Sequence, residues 1–286
     1  MKMAKFELSA FTDEYSPEID KQIEGMLKNG IHYTELRGVD GKNVSEIDHA
    51  KAKEVKAKLE ANGLEVWSIG SPLGKIKLTD DIEKHLELTK HCAELANVFG
   101  TPRMRVFSFY VPNTTDIAPY RTQVIDWMGR MLEVAKAEGA ILCHENEKGI
   151  YGEKIEGCVD IQKTFGGEYK CIFDPANFLQ ADVKPYPDAF SALGESVYYM
   201  HIKDCDAAKT IVPAGKGLGG IPEILRELNK REGQMVLTLE PHLTVFKGLA
   251  GLEAEGETSA IGNAFRTAEE AFGVATDSLK GIIAAL

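Results

Sequence analysis

Four residues of ligand type close four successive apolar runs: Glu145 in AILCHE, Asp174 in YKCIFD, His201 in SVYYMH and Glu240 in MVLTLE. Three carboxylates and one imidazole could chelate a single divalent ion, and a set this rich in oxygen suits Mn²⁺ or Mg²⁺, with Co²⁺ or Zn²⁺ as alternates. A carboxylate held beside such an ion could also take a proton from carbon. The intervals are 174 − 145 = 29, 201 − 174 = 27 and 240 − 201 = 39 residues, each long enough for a helix, its loops and the next strand. In a parallel barrel all strand C-termini lie on one face, so four such side chains would converge there. One acidic strand end taken alone is usually a solvated loop start. Four in series, all of ligand type, weigh against that reading.

The elements that must position these residues are legible as an alternation of short apolar runs and longer helical stretches, the pattern of βα units and a parallel sheet. Eight strands are expected at FELSAF, IHYTELR, LEVWSIG, RMRVFSFY, AILCHEN, YKCIFD, SVYYMHIK and QMVLTLEP. Helices are expected between them, several closed by glycine, as in IDKQIEGMLKNG and SEIDHAKAKEVKAKLEANG. One or two closing helices follow in TSAIGNAFRTAEEAFG and TDSLKGIIAAL. The expectation is an α/β fold, a (β/α)8 TIM barrel spanning residues 1–286 as a single domain, a length such a barrel accommodates. KGLAGLEAEGETS reads as a long loop after strand eight, and a loop on that face could act as a lid. A doubly wound nucleotide-binding sheet would need a glycine fingerprint after strand one, where TDEYSPEID stands instead. GKGLGG, after strand seven, lacks the Lys-Ser/Thr ending of a phosphate loop and reads as a bent loop.

Further polar residues fall on the same rim. Glu147 shares parity with Glu145, and Lys203 with His201. Lys203 could neutralise an enolate or a phosphate. Asn177, three residues beyond Asp174, could bond a substrate hydroxyl. Arg105 on strand four and Glu35 near the end of strand two could reach a bound sugar. His144 faces the other way and reads as a structural histidine, Asp204 as an acceptor behind the ligands, and Trp67 with the aromatics of FSFY as barrel core.

With these residues in place, the chain resembles a known family. Glu in HENE, Asp in FDPAN, His in MHIKD and Glu in LEP are similar to the xylose-isomerase-like sugar isomerase/epimerase barrels, and the likeness runs from FTDE to LEP. That superfamily includes D-tagatose 3-epimerase-type enzymes, inosose dehydratases and endonuclease IV. The resemblance implies that Glu145, Asp174, His201 and Glu240 hold one divalent ion and that Glu145 and Glu240 also transfer protons. Two positions depart from the ketose 3-epimerases: Asn177 stands where they have His, and Ala207 where they have Arg. Both of those contacts orient ketose hydroxyls, so the departures count against a free ketohexose. Endonuclease IV needs a histidine-rich site, and this chain has seven histidines in all.

The remaining composition limits the partners. The formal charge is 33 − 44 = −11, which argues against broad nucleic-acid or anionic-membrane binding. No run approaches the roughly 20 apolar residues of a membrane span. Five cysteines without a CxxC pair read as reduced thiols and a cytoplasmic location, with Cys143 and Cys171 as core. The expected activity is that of a metal-dependent isomerase or epimerase of a sugar or sugar phosphate. It would act by proton abstraction next to a carbonyl through an enediolate. A small carbohydrate is the partner, and a homo-oligomer is compatible with this reading. The alternatives are a lyase or dehydratase on a keto-sugar or keto-inositol, including C-glycoside cleavage, and more distantly a sugar-binding barrel without turnover.

Overall fold

Eight parallel strands close into a barrel in the computed structural model, which describes residues 3–246, 261 and 265–286. They are β1 Lys5–Ala10, β2 Tyr33–Leu36, β3 Glu65–Ile69, β4 Arg103–Val106, β5 Ile141–Glu145, β6 Lys170–Phe173, β7 Val197–Ile202 and β8 Gln234–Leu239. Each pairs with its sequence neighbours, and β1 closes the ring by pairing β8 from Lys5↔Gln234 to Ala10↔Leu239. The chain is therefore an α/β protein with the (β/α)8 architecture expected from its alternating pattern.

The main helices of the outer layer are α1 Ile19–Asn29, α2 His49–Ala61, α3 Ile82–Phe99, α4 Arg121–Ala137, α5 Ile155–Thr164, α6 Pro175–Gln180, α7 Phe190–Leu193, α8 Ile221–Leu228 and α9 Ala268–Ala284. Their ends follow from local chemistry. Asp48 and Asp81 accept backbone N–H bonds at the starts of α2 and α3, satisfying donors that the helix leaves unpaired. Gly30 ends α1 in the left-handed region, where a side chain would be strained. One apolar core lies between the strands and the helices. A second, formed by Trp67, Cys143, Ile172, Tyr199 and Val236, fills the lumen.

This lumenal layer sets up the site. Side chains two residues apart share a strand face. Two residues beyond Cys143, Ile172 and Tyr199 come Glu145, Asp174 and His201, and four beyond Val236 comes Glu240. An apolar layer thus seals the lumen beneath a polar one at the C-terminal rim.

Local contacts add detail at the rim and shorten one expected strand. PANFLQ forms α6, because Asp174 caps it and Pro175 occupies its first position, where a missing N–H costs nothing. Strand four stops at Val106: Phe107 N–H donates to Leu73 O at 2.7 Å, pulling FSFY onto the loop after β3. Gly74 (φ 88°) permits that approach, since a Cβ there would lie 2.1 Å from Phe107 O. Two short hairpins, Gly38–Val39 with Lys42–Asn43 and Asp204–Cys205 with Ile211–Val212, extend from the rim. Of the tail, α9 is described; KGLAGLEAEGETS lies outside the described residues.

Candidate active site

Glu145 ends β5, Asp174 and Glu240 follow β6 and β8 directly, and His201 is the fifth residue of β7. One ligand-type atom of each lies within 4.8 Å of the corresponding atoms of the others, and all four residues are buried. The barrel brings together side chains up to 240 − 145 = 95 residues apart in sequence.

His201 is held from both sides. Nδ1 lies 2.9 Å from Glu145 Oε1 and 3.8 Å from Glu240 Oε2, so it faces the cluster. Nε2 lies 3.1 Å from Glu35 Oε2, and Tyr199 Oη donates to the other Glu35 oxygen at 2.9 Å. Burial disfavours the imidazolium, but Glu145 and Glu35 outweigh it and raise the pKa to about 10. Phe11 meets the ring edge-on at a centroid separation of 5.0 Å.

Asp174 and Glu240 share an ammonium. Lys203 Nζ lies 2.9 Å from Glu240 Oε2 and 3.1 Å from Asp174 Oδ2. Asp174 Oδ1 accepts the Asn177 N–H as the α6 cap, while Oδ2 accepts no well-directed hydrogen bond from the described residues. Burial, with Glu240 and Glu145 nearby, lifts Asp174 to about 8 against the pull of Lys203. Burial also works against the Glu240 carboxylate, yet Lys203, His201 and Arg37 hold its pKa well below the usual range.

Around this core runs a ring of charge. Arg37 grips Asp13 with two nitrogens at 3.0 and 3.2 Å, Glu14 at 3.1 Å and Glu240 Oε1 at 3.2 Å. Its guanidinium lies 4.2 Å over the Phe11 ring. Arg105 reaches Glu145 Oε2 at 3.4 Å and donates to the Gly70 and Ser71 carbonyls. The backbone N–H of His242, a residue in the left-handed region at φ 44°, donates to Glu14 Oε2 at 2.7 Å. Burial depresses the His242 pKa to about 3, so the ring is neutral, and its Nδ1 has no hydrogen-bond partner among the described residues.

The donor set fits a divalent ion. Asp174 Oδ2 is buried with no hydrogen bond from the described residues, three carboxyl groups offer oxygens, and Glu35 on Nε2 leaves His201 Nδ1 to the cluster. A carboxylate behind a ligating imidazole is the usual support of a metal histidine. The xylose isomerase-like TIM barrel family model matches residues 26–260. The chain belongs to this family. No curated protein matches it. Similar solved structures include a probable 3-DHS dehydratase, AsbF, from Bacillus anthracis, at 17% identity and TM-score 0.72 over 96% of this chain and 98% of that one. D-psicose 3-epimerase from Clostridium cellulolyticum H10 is 15% identical, with TM-score 0.68 over 99% of each chain. The IolI protein, solved with a bound zinc atom, is 14% identical, with TM-score 0.70 over 100% of this chain and 99% of that one. At these identities the likeness is one of fold.

The other predicted residues of this xylose isomerase-like barrel sort by their contacts. Asn177 turns its amide to Glu145 Oε1 at 3.2 Å and to the Asn146 carbonyl at 2.9 Å. Glu147 lies past the end of β5 and pairs with Lys75 at 3.1 Å. Burial opposes its charge, but Lys75 and Lys203 lower its pKa to about 2. Glu35, expected to meet a sugar hydroxyl, has both oxygens engaged by His201 and Tyr199. Arg105 likewise spends its nitrogens on Glu145 and two carbonyls. His144 faces away and bonds Ser108 at 3.0 Å. Asp204 does not back the ligands; it gathers the N–H groups of Cys205, Gly215, Gly217 and Gly219 at 2.8–3.1 Å, which bends the GKGLGG run. Sequence reasoning missed Asp13, Glu14 and Arg37; His242 was near the proposed ligands in sequence but was given no role. Arg37 has the parity of Glu35, and Asp13 and Glu14 stand three and four residues past the end of β1, so attention to strand ends would have found these three.

Proposed function

We propose that this protein is a divalent-metal-dependent isomerase or epimerase of a sugar or sugar phosphate, working by proton transfer at the carbon next to a carbonyl. The observation that carries this reading is the pair Glu145 and Glu240. Both lie close to the same nitrogen of His201, at 2.9 and 3.8 Å, and a different arginine braces each. Bound by Glu145, Asp174, His201 Nδ1 and Glu240, the ion would supply Lewis-acid polarisation of the substrate carbonyl. Glu240, held ionised by Lys203 and Arg37, is in the form that accepts a proton. Glu145 is fixed in direction by Asn177 and Arg105, so a proton removed at one carboxylate and returned at the other yields an epimer or isomer. Each such transfer contributes on the order of 10²–10⁴-fold. Lys203 offers a cation to a developing substrate oxygen.

A lyase or dehydratase acting on a keto-sugar or keto-inositol is the second reading. The Asn177 amide is committed to Glu145 and Asn146 rather than free to orient a hydroxyl, and a small side chain, Ala207, lies in the turn of the rim hairpin. A dehydratase is also among the similar folds. The test is incubation of Mn²⁺-loaded protein in D₂O with ketoses, aldoses, keto-inositols and their phosphates. Deuterium next to the carbonyl, with a new epimer or isomer, is the expected result. A dehydrated product would favour the lyase. Binding without exchange or product across the panel would point to a sugar-binding barrel.

A further inference from the structure

We infer that Lys203 is a built-in competitor of the divalent ion: its ammonium and the ion require the same two carboxylate oxygens, so ion binding displaces the Lys203 side chain. The inference rests on the four-ligand ion site proposed above and adds what controls its occupancy.

The argument is one of oxygens. Asp174 has Oδ1 committed to the Asn177 N–H at 2.9 Å, which leaves Oδ2 for any cation. Glu240 has Oε1 committed to Arg37 at 3.2 Å, which leaves Oε2, the oxygen nearer His201 Nδ1. Lys203 Nζ stands 3.1 Å from that Asp174 Oδ2 and 2.9 Å from that Glu240 Oε2. The ammonium therefore engages the atoms through which these two residues would bind an ion. A doubly charged ion seated between them would lie within a few ångströms of a like charge in a buried site, where repulsion is poorly screened.

The side chain also has somewhere to go. Lysine has a flexible four-carbon stem, unlike the fixed fork of arginine. Glu147, whose carboxylate feels the Lys203 charge, offers a nearby acidic partner on the rim. Arg37 and Arg105, each pinned by at least three acceptors, cannot make the same exchange.

The experiment compares chelator-treated wild type, Lys203→Met and Lys203→Arg by calorimetric Mn²⁺ titration and thermal melting. Removing a like charge should tighten Mn²⁺ binding by about 10-fold or more in Lys203→Met. With chelator, that variant should melt below wild type, because two buried carboxylates lose their cation. Its Mn²⁺-induced rise in Tm should be larger. Lys203→Arg should bind Mn²⁺ no more tightly than wild type. A lysine that only packs would lower both melting temperatures equally and leave affinity unchanged, and equal or weaker Mn²⁺ binding by Lys203→Met overturns the inference while leaving the ion site standing. If Lys203→Met folds only when Mn²⁺ is present, the inference is supported. A crystal structure of Mn²⁺-loaded wild type should show Nζ withdrawn from Asp174 Oδ2 and Glu240 Oε2; retention of both contacts overturns it. Failure of all three proteins to bind Mn²⁺ would remove the ion site and this inference with it.

Discussion

Glu145 and Glu240 are the two carboxylates that lie within 4 Å of the same imidazole nitrogen, Nδ1 of His201. Glu145→Gln and Glu240→Gln preserve a ligand oxygen but remove the base. Each should lower kcat by roughly 10²-fold or more with Mn²⁺ binding only partly weakened, read by turnover and deuterium exchange. Full activity of Glu240→Gln would remove it from proton transfer. Glu35 acts at one remove, through the Nε2 of His201. Glu35→Gln should therefore cost about 10–100-fold in Mn²⁺ affinity, as loss of support behind a metal histidine does. An unchanged calorimetric affinity would reduce Glu35 to a buried partner of Tyr199. Residue identity and strand parity were enough to name the four ligand-type residues, because they sit at strand ends. Partner choice was not legible: Glu35 and Arg105 carry the same parity as groups that face a substrate, and only the packed lumen shows what their polar atoms touch.

At the scale of elements, helix α6 starts on a ligand-type residue, so Asp174 both caps the helix and presents Oδ2 to the cluster. The two roles separate by substitution. Asp174→Asn keeps an oxygen for the Asn177 N–H and should retain most stability while losing Mn²⁺ affinity. Asp174→Ala should lose the affinity and, in addition, about 1 kcal/mol of cap stability, measured by denaturant unfolding. If both variants unfold at the same denaturant concentration, the cap contributes nothing. The Gly215–Gly219 loop is built around Asp204 in a comparable way. A Cβ at Gly217 would lie 2.3 Å from Asp204 Oδ1 and from the Cys205 carbonyl, so Gly217→Ala should lower Tm by several degrees even without touching the ligands. The strands and long helices were readable from periodicity and caps. The short helix after Asp174 and the two hairpins were not, because a few residues carry too little periodic signal and their geometry comes from contacts made across the rim.

For the molecule as a whole, the buried charges set a pH dependence. Asp174 and Glu14 are raised to about 8 and His201 to about 10, so the folded chain keeps protons that the unfolded chain has released. Stability then falls as pH rises, over the interval from the unfolded to the folded value of each group. Chelator-treated protein should lose Tm steadily from pH 6.5 to 10. An ion that replaces the protons on Asp174 and His201 binds more tightly as pH rises. The Mn²⁺-induced gain in Tm should accordingly be larger at pH 8.5 than at pH 6.5. A gain that is constant or shrinks with pH would mean that the ion does not displace those protons. Among the described residues no helix is long and apolar enough to cross a membrane, and the five cysteines are all free and buried.

By itself the sequence determined the alternation of strands and helices, the closure of that alternation into a barrel, and the rim on which Glu145, Asp174, His201 and Glu240 stand. Those follow from residue periodicity, from caps and breakers, and from the rule that parallel strands end on one face. Tertiary structure decided which polar atoms meet. Arg37 finds Glu240 across 240 − 37 = 203 residues, Lys203 inserts between Asp174 and Glu240, and Glu35 settles behind His201. Such pairings depend on the register and curvature of the closed sheet, which place side chains within hydrogen-bond distance, and no local pattern of residues encodes that distance.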